Sequence, residues 1–277
     1  MYYLQFVSCL IVLTVAFTSP AKADEAAITV PKWELGLAVG AASLPQYMGS
    51  NERYTFAAPL PYFIYRGERI RMDRGGLTAA LFDIAGLSLD LSLGAGLPVR
   101  NSNSARTGMP SLKFNLQAGP RLNWSVFQNQ QSSVNLRLPV RGAIDTAGSM
   151  LGWLSEPEIQ IRHEVNPDFN VEFTTGLLFA SKKYHSTYYD VAPAFVTPTR
   201  AAYRASGGLH SVSLTAKLVY QYSDHIRLFS AIRYRNLKPG AISNSPLVKD
   251  SNYFSIMVGM AWSIFQSETL SRVSKDD

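Results

Sequence analysis

Hydrophobic and polar residues alternate along much of this chain, which is the pattern of β-strands with two unlike faces. The stretch from Tyr253 to Phe265 shows the alternation most clearly. Every even position from Phe254 to Ile264 is large and apolar, whereas the odd positions are mostly small or weakly polar. Because successive strand residues point to opposite faces, one face suits hydrocarbon and the other suits a tight or wet interior.

The same alternation recurs through the rest of the chain. It is found at 33–40, 87–94, 112–117, 134–141, 158–162, 169–174, 212–218 and 226–233. A soluble lipocalin-like barrel also alternates, with its apolar face inward, but it needs only about eight strands and this chain holds more. The face opposite the apolar stripes mixes glycine, alanine, serine and charge, as a polar lumen does. The pattern therefore predicts an all-β fold, a transmembrane antiparallel up-and-down β-barrel.

The connections between these stretches indicate the number of strands. Long connections at 43–53, 100–110, 145–151, 181–202 and 237–252 alternate with short ones at 66–68, 84–86, 128–132, 164–168 and 223–224. Bacterial membrane barrels alternate short periplasmic turns with longer external loops, so this spacing predicts about twelve strands. The count depends on two short strands, 70–73 and 77–82, and ten or fourteen strands remain alternatives.

The N-terminus has the pattern of a secretory signal peptide. An apolar run from Phe6 to Phe17 is too short to span a bilayer as a helix. It is followed by Ala21 and Ala23 in a small-x-small cleavage pattern, which predicts cleavage after Ala23. The only cysteine, Cys9, lies in this segment, so the mature chain is expected to have neither a disulfide nor a thiolate site.

The mature chain is predicted to be one domain in the outer membrane of a Gram-negative bacterium. The predicted divisions are a signal peptide at 1–23, a barrel at 24–265 and a polar tail at 266–277, which we expect to be disordered or periplasmic. The net charge is +6, but the basic residues are spread through the strands, so the predicted partner is outer-membrane lipid and not nucleic acid.

Charged residues at strand positions fall on the non-apolar face and should point into the barrel. They are mostly basic: Glu34, Asp90, Lys113, Arg121, Arg137, Arg141, Glu158, Arg162, Glu172, Lys217, Arg227, Arg233 and Arg235. Interior charges must be paired or hydrated. They therefore form either an ion-pair network that stiffens the barrel or the lining of a narrow, anion-preferring pore.

The histidines give weak indications of chemistry. His163 and Glu164 lie beside Asn166-Pro167-Asp168 at a predicted periplasmic turn, and a barrel hydrolase there is an alternative function. We expect His185 to be a solvated residue of an external loop. The sequence has no metal-ligand spacing and no nucleotide-binding glycine motif, so it predicts no metal, cofactor or catalytic residue.

Several local strings, in this order and spacing, resemble the MipA/OmpV family of Gram-negative outer-membrane proteins. They are Pro45-Gln46-Tyr47-Met48-Gly49-Ser50, Pro59-Leu60-Pro61-Tyr62, Gly108-Met109-Pro110, Gly119-Pro120, Tyr188-Tyr189-Asp190-Val191, Tyr203 leading to Gly207-Gly208, and Ser245-Pro246-Leu247-Val248. Two features depart from the family. The chain continues past Phe265, and Asp190 stands where glycine is expected.

The resemblance implies a barrel without catalytic activity. The MipA branch is regarded as a scaffold that holds a lytic transglycosylase near a murein synthase, and the OmpV branch is linked to osmotic response and adhesion. The expected function is therefore a non-enzymatic scaffold for murein-remodelling enzymes. A narrow anion-preferring channel is the first alternative and a hydrolase is the second.

Overall fold

The computed structural model describes residues 28–67, 70–73, 76–79, 82–84 and 86–273. The predicted signal peptide, with Ala21, Ala23 and Cys9, lies outside the described residues, and its cleavage stays a prediction.

The described chain consists mainly of β-strands. They are β1 Ile28–Pro31, β2 Trp33–Pro45, β3 Arg53–Arg66, β4 Ile70–Asp73, β5 Gly76–Ala79, β6 Phe82–Ile84, β7 Leu87–Gly96, β8 Asn115–Gln128, β9 Ser132–Asp145, β10 Met150–Ser155, β11 Glu158–Asn166, β12 Phe169–Ala180, β13 Gly208–Gln221, β14 Ile226–Asn236, β15 Asn252–Gln266 and β16 Leu270–Val273. One α-helix, α1, spans Lys182–Tyr189, and short 3₁₀ turns lie at Ser104–Arg106 and Pro193–Phe195. None of the described helices is long and apolar enough to cross a bilayer.

Strands β2 to β15 form one antiparallel sheet in chain order, and β15 pairs back with β2. Strands β10 and β11 both lie between β9 and β12, so they are one interrupted strand. Strand β5 pairs with β4, and β6, which follows it in the chain, pairs with β7, so these two also act as one strand. The described sheet contains fourteen strand segments. Because β5 with β6, and β10 with β11, each form one interrupted strand, the described wall has twelve strands. The predicted up-and-down barrel is confirmed.

The apolar stripes lie on the outside of the barrel. In β15, Phe254, Ile256 and Trp262 are each about half exposed, whereas Tyr253 and Ser263, on the other face, are buried. A protein with this many exposed large apolar side chains needs a hydrocarbon environment, because water would not solvate the band favourably. The predicted direction of the two faces is confirmed.

The two ends of the barrel differ. Short turns close one end, as at 129–131 and 167–168, whereas the loops at 97–114, 181–207 and 237–251 close the other. Membrane barrels place short turns in the periplasm, so the long loops are external.

The first and last described strands, β1 and β16, lie at the periplasmic end. There β1 pairs with β16, and this pair forms a separate two-stranded ribbon. The tail was expected to be disordered or periplasmic, and its segment Leu270–Val273 is a strand at the periplasmic end, paired with β1.

Candidate functional site

The external loops pack together into a layer, the cap, made of residues 46–52, 97–114, 181–207 and 237–251. Helix α1 lies in it and begins at Ser181, whose Oγ accepts hydrogen bonds from the backbone N–H of Tyr184 (3.3 Å) and of Trp153 (3.1 Å). A serine at this position satisfies a helix N–H group that would otherwise lack a partner. The helix then presents Tyr184, His185, Tyr188 and Tyr189 to the buried interior, where the rings of Tyr184 and Tyr188 lie 5.1 Å apart.

Tyr189 connects three parts of the cap. Its hydroxyl donates to the Met48 carbonyl at 2.8 Å and accepts from Nε2 of His210 at 2.8 Å. The backbone carbonyl of Tyr189 accepts a hydrogen bond from Ser245 Oγ at 2.8 Å. Because the only hydroxyl proton goes to Met48, His210 must carry its proton on Nε2, and its Nδ1 accepts from Ser211 Oγ at 2.8 Å.

A second tyrosine joins the first external loop to the last. Tyr47 donates from its hydroxyl to the Leu247 carbonyl at 2.6 Å, and burial raises the pKa of Tyr47 to about 12. The Gly49 carbonyl accepts from the backbone N–H of both Lys249 and Asp250. Because its pKa is raised, the Tyr47 hydroxyl stays protonated and can donate its hydrogen bond at all physiological pH values.

The strings that resemble the MipA/OmpV family largely meet in the cap. Val191 and Tyr203 exchange two backbone hydrogen bonds, at 2.9 and 3.1 Å. Asp190, which stands where glycine is expected, accepts the backbone N–H of Ala205 on Oδ1 at 2.6 Å. Arg106 donates to the Tyr188 carbonyl at 2.9 Å. The motifs are therefore contacts that close the external end of the barrel.

His185 differs from the sequence expectation. The residue is fully buried and its Nδ1 donates to the Ser206 carbonyl at 2.6 Å, so the expectation of a solvated loop histidine is wrong. Its Nε2 has no hydrogen-bond partner among the described residues. Burial lowers the pKa of His185, which keeps the ring neutral. The sequence did not show this because helix α1 turns the side chain inward.

Below the cap, ion pairs join strands inside the barrel. The Arg121 guanidinium binds the Asp90 carboxylate through two hydrogen bonds of 2.8 Å, and Asn123 donates to the same carboxylate at 2.8 Å. Glu172 lies 3.8 Å from Arg162 and 3.7 Å from Lys217. The predicted interior residues of β7, β8, β11, β12 and β13 are thus brought together as charge pairs.

The most buried pair joins Arg235 to Glu156 at 2.8 Å. Arg235 also donates to Ser211 Oγ at 2.7 Å, and Glu156 accepts from Ser213 Oγ at 3.1 Å. Because Ser211 also contacts His210, this pair is continuous with the cap. The alternation in the sequence does not reveal Glu156, because this residue lies between β10 and β11, where Pro157 interrupts the pattern.

Four interior arginines have neutral partners. Arg137 donates to Gln160, Arg141 to the Leu93 carbonyl at 3.4 Å, Arg233 to Thr215 Oγ1 at 2.9 Å and Arg227 to Gln221 Oε1 at 2.6 Å. In the described part of the chain, none of these four lies within ion-pairing distance of a carboxylate. The interior therefore has a basic excess.

The remaining predicted residues lie apart from these pairs. Glu34 pairs with Arg66 at 2.5 Å near the periplasmic end. Glu158 lies opposite Arg137 in the β9–β11 ladder, without an ion pair to a described residue. Lys113 is exposed and lies in the loop before β8.

The geometry at the periplasmic histidine gives little support to hydrolysis. His163 Nδ1 lies 2.9 Å from Ser132 Oγ, but Glu164 is the next residue on the strand and points to the opposite face. An acid in that position does not orient the imidazole as a serine hydrolase requires. Among the described residues, no group of three or more His, Cys, Asp and Glu side chains could hold a metal ion.

The chain matches a protein family and has some similarity to solved outer-membrane proteins. The family model described as "MltA-interacting protein MipA" matches residues 37–264. An outer-membrane channel from Pseudomonas putida F1 is 8% identical, with a TM-score of 0.44 over 88% of this chain and 99% of that one. OmpT of Vibrio cholerae is 8% identical, with a TM-score of 0.39 over 87% and 99%. The NanC porin is 11% identical, with a TM-score of 0.39 over 82% and 100%. No curated protein matches the chain.

The closed sheet, the outward apolar band and the charged interior define an outer-membrane β-barrel protein of a Gram-negative bacterium. Because the family match covers most of the barrel, the chain belongs to the MipA family.

Proposed function

We propose that this protein is a non-enzymatic scaffold that binds murein-remodelling enzymes, a lytic transglycosylase above all, at the periplasmic end of the barrel. The observation that carries the proposal is the difference between the two ends. The external end is occupied by the packed cap, whereas the periplasmic end carries the ribbon formed by β1 and β16. The family description, which names an interaction with MltA, supports the same partner class.

Side-chain hydrogen bonds join the ribbon to the barrel at Arg66. Arg66 donates to the Pro31 carbonyl at 2.8 Å, and Ser271 Oγ donates to the Arg66 carbonyl at 2.8 Å. Leu270 is 57% exposed at the start of β16. An exposed strand edge with an apolar side chain is a surface to which an extended segment of a partner can add.

Binding of a soluble lytic transglycosylase to the barrel in lipid nanodiscs tests the proposal. We expect saturable binding that is lost when the chain is truncated after Gln266 and weakened by Leu270→Asp. The cap variant Asp250→Asn is the control and should bind normally. Binding that survives truncation unchanged, or no binding by the intact barrel, contradicts the proposal.

A second candidate is a narrow anion-preferring channel, because Arg137, Arg141, Arg227 and Arg233 leave a basic excess in the interior. Planar-bilayer recordings test it. Current steps that become less anion-selective in Arg233→Gln support a channel, and the absence of any step from well-folded protein excludes it.

A further inference from the structure

A polar cavity of about 360 Å³ lies in the cap, where the loops at 97–114, 181–207 and 237–251 meet. Hydroxyl groups and two cations make up most of its lining: Ser104, Thr107, Thr197, Thr199, Arg200 and Lys249. All of these except Arg200 are exposed, so the cavity is in contact with solvent. None of the described residues that line it is acidic.

A tight turn holds Arg200 at the wall of this cavity. Thr197 and Arg200 exchange two backbone hydrogen bonds, at 3.0 and 3.1 Å. The Arg200 guanidinium donates to the carbonyls of Ala105 and Thr107, both at 3.0 Å, and to the Phe195 carbonyl at 2.9 Å. Because Ala105 and Thr107 also line the cavity, the charged group is fixed between two residues of its wall.

The positive charge of Arg200 has no counter-ion in the described part of the chain. Its side chain is 7% exposed, its hydrogen-bond partners are neutral carbonyls, and no described carboxylate lies within ion-pairing distance. A buried charge without a partner is costly. The three bonds to carbonyls use three of the five N–H groups of a guanidinium, so one remains on each terminal nitrogen.

A second buried arginine adds to this charge. Arg106 lies between the two residues whose carbonyls Arg200 binds, and its own guanidinium donates to the carbonyls of Tyr188 and Pro110. Burial lowers the pKa of Arg106, and the nearby charge of Arg200 lowers it further. An anion beside Arg200 would offset the repulsion between these two cations.

The other lining groups can complete a site for an anion. The hydroxyls of Ser104, Thr197 and Thr199 make no hydrogen bond within the described residues, so each has a proton to donate. Lys249 is exposed and has no described carboxylate within ion-pairing distance. Donors from three loops therefore meet at one cavity that has two cations and no acid in its described lining.

The cap as a whole also attracts anions. Its segments, 46–52, 97–114, 181–207 and 237–251, contain nine lysine and arginine residues and three aspartate and glutamate residues. This excess equals the net charge of +6 of the whole chain. A field of one sign over a surface raises the local concentration of ligands of the opposite sign.

We propose that this cavity binds a phosphate group, which accepts hydrogen bonds from Arg200, from Lys249 and from the serine and threonine hydroxyls. A phosphate carries enough negative charge for two cations, and its tetrahedral oxygens accept bonds from several directions. The volume exceeds that of one phosphate, so part of the molecule that carries the group can enter with it. The site is in the cap and the ribbon is at the other end, so the proposal does not rest on the scaffold role.

The same group can come from two sources, free phosphate or the phosphorylated headgroup of lipopolysaccharide. Phosphorus NMR of inorganic phosphate with the full barrel in maltoside micelles tests the first source, with line broadening as the signal. Anisotropy of fluorescent lipopolysaccharide, before and after its phosphates are removed with hydrofluoric acid, tests the second. We expect the barrel to bind at least one of these probes. Binding of lipopolysaccharide should fall roughly tenfold when its phosphates are removed.

A matched pair of lysine variants makes the test specific to the cavity. Lys249 and Lys238 are both exposed in the loop at 237–251, but only Lys249 lines the cavity. Lys249→Gln should weaken phosphate binding roughly threefold, as expected for an exposed charge pair, and Lys238→Gln should leave it unchanged. Arg200→Gln should weaken binding roughly tenfold. If proteolysis shows that this change disturbs the loop, the lysine pair decides the test.

Glu52 gives an expectation of the opposite sign. Its carboxylate accepts the backbone N–H of Ser104 at 2.6 Å, so one negative charge lies beside the cavity without lining it. Because this charge repels a bound phosphate, Glu52→Gln should raise the affinity.

The proposal is overturned if neither probe binds, or if the bound probe is unaffected by Lys249→Gln. It is also overturned if Lys238→Gln weakens binding as much as Lys249→Gln, because general attraction to the basic cap would then explain the result. Binding of inorganic phosphate that lipopolysaccharide displaces supports one site open to both sources. Binding of only one probe supports the site and identifies its source.

Discussion

The Tyr189 hydroxyl and Nε2 of His210 lie 2.8 Å apart in the buried centre of the cap. This hydrogen bond joins helix α1 to the external end of β13. The same hydroxyl donates to Met48, so one side chain ties three parts of the external surface together. Through Ser211 and Arg235 the contact continues to Glu156 inside the barrel. Cap and lumen are therefore one hydrogen-bonded unit.

Tyr189→Phe should loosen the cap without unfolding the barrel. The change removes one hydroxyl and leaves the Met48 carbonyl and the His210 N–H without partners, which costs about 2–4 kcal/mol. Limited proteolysis should cut the loop at 181–207 faster in the variant. Tyr222→Phe is the control, because Tyr222 is 66% exposed at the periplasmic end. Equal cleavage of both variants would show that the contact does not hold the cap closed.

Glu156→Ala should be among the most damaging single changes in the interior. It leaves the Arg235 guanidinium buried without its carboxylate, and breaking one partner of a buried pair costs about 3–5 kcal/mol. The midpoint of urea unfolding in detergent should fall accordingly. Glu268→Ala, at an exposed position, should leave the midpoint unchanged. A midpoint equal to that of the parent protein would exclude a stabilising role for the pair.

The cap should open as the pH falls. Burial lowers the pKa of His185, so the open cap binds a proton more readily than the closed one. The closed state is fully stable above the ordinary histidine pKa of about 6.5 and loses stability below it. The ring centroid of His185 lies 5.4 Å from that of His210 and 6.1 Å from that of Tyr189. A second proton on His210 would therefore repel a protonated His185 ring.

Proteolysis of the loop at 181–207 between pH 7.5 and 5 measures this dependence. We expect faster cleavage at the lower pH in the parent protein and a weaker dependence in His185→Gln. His225→Gln, at an exposed periplasmic turn, should keep the parent profile. A profile unaffected by the His185 change would assign the dependence to another group.

Gly36→Val should prevent the barrel from closing. A Cβ atom at Gly36 would lie 2.1 Å from the Trp262 carbonyl oxygen and 2.7 Å from the Tyr62 ring, where β2 meets β15. Because one of these atoms belongs to the backbone, the strands would have to separate. The heat-modifiable folded band should disappear from gels. Ala38→Val, two residues along the same face, should fold, and failure of both variants would point to a general intolerance of bulk.

The sequence by itself determined the fold class, the direction of the two barrel faces and most of the interior charges. Period-two alternation is a local property, and a chain that places a large apolar side chain on every even position from Phe254 to Ile264 can bury them only against lipid. Asp90 and Arg121 were assigned to the interior for the same reason, and they pair there.

Only the tertiary structure decided which residues meet. His185 is buried because contacts from distant loops enclose helix α1, and no local pattern records those contacts. Glu156 was missed because Pro157 breaks the alternation beside it, yet the barrel brings Arg235 to 2.8 Å from its carboxylate. The external loops carry irregular sequence, and their arrangement depends on side-chain packing between segments far apart in the chain.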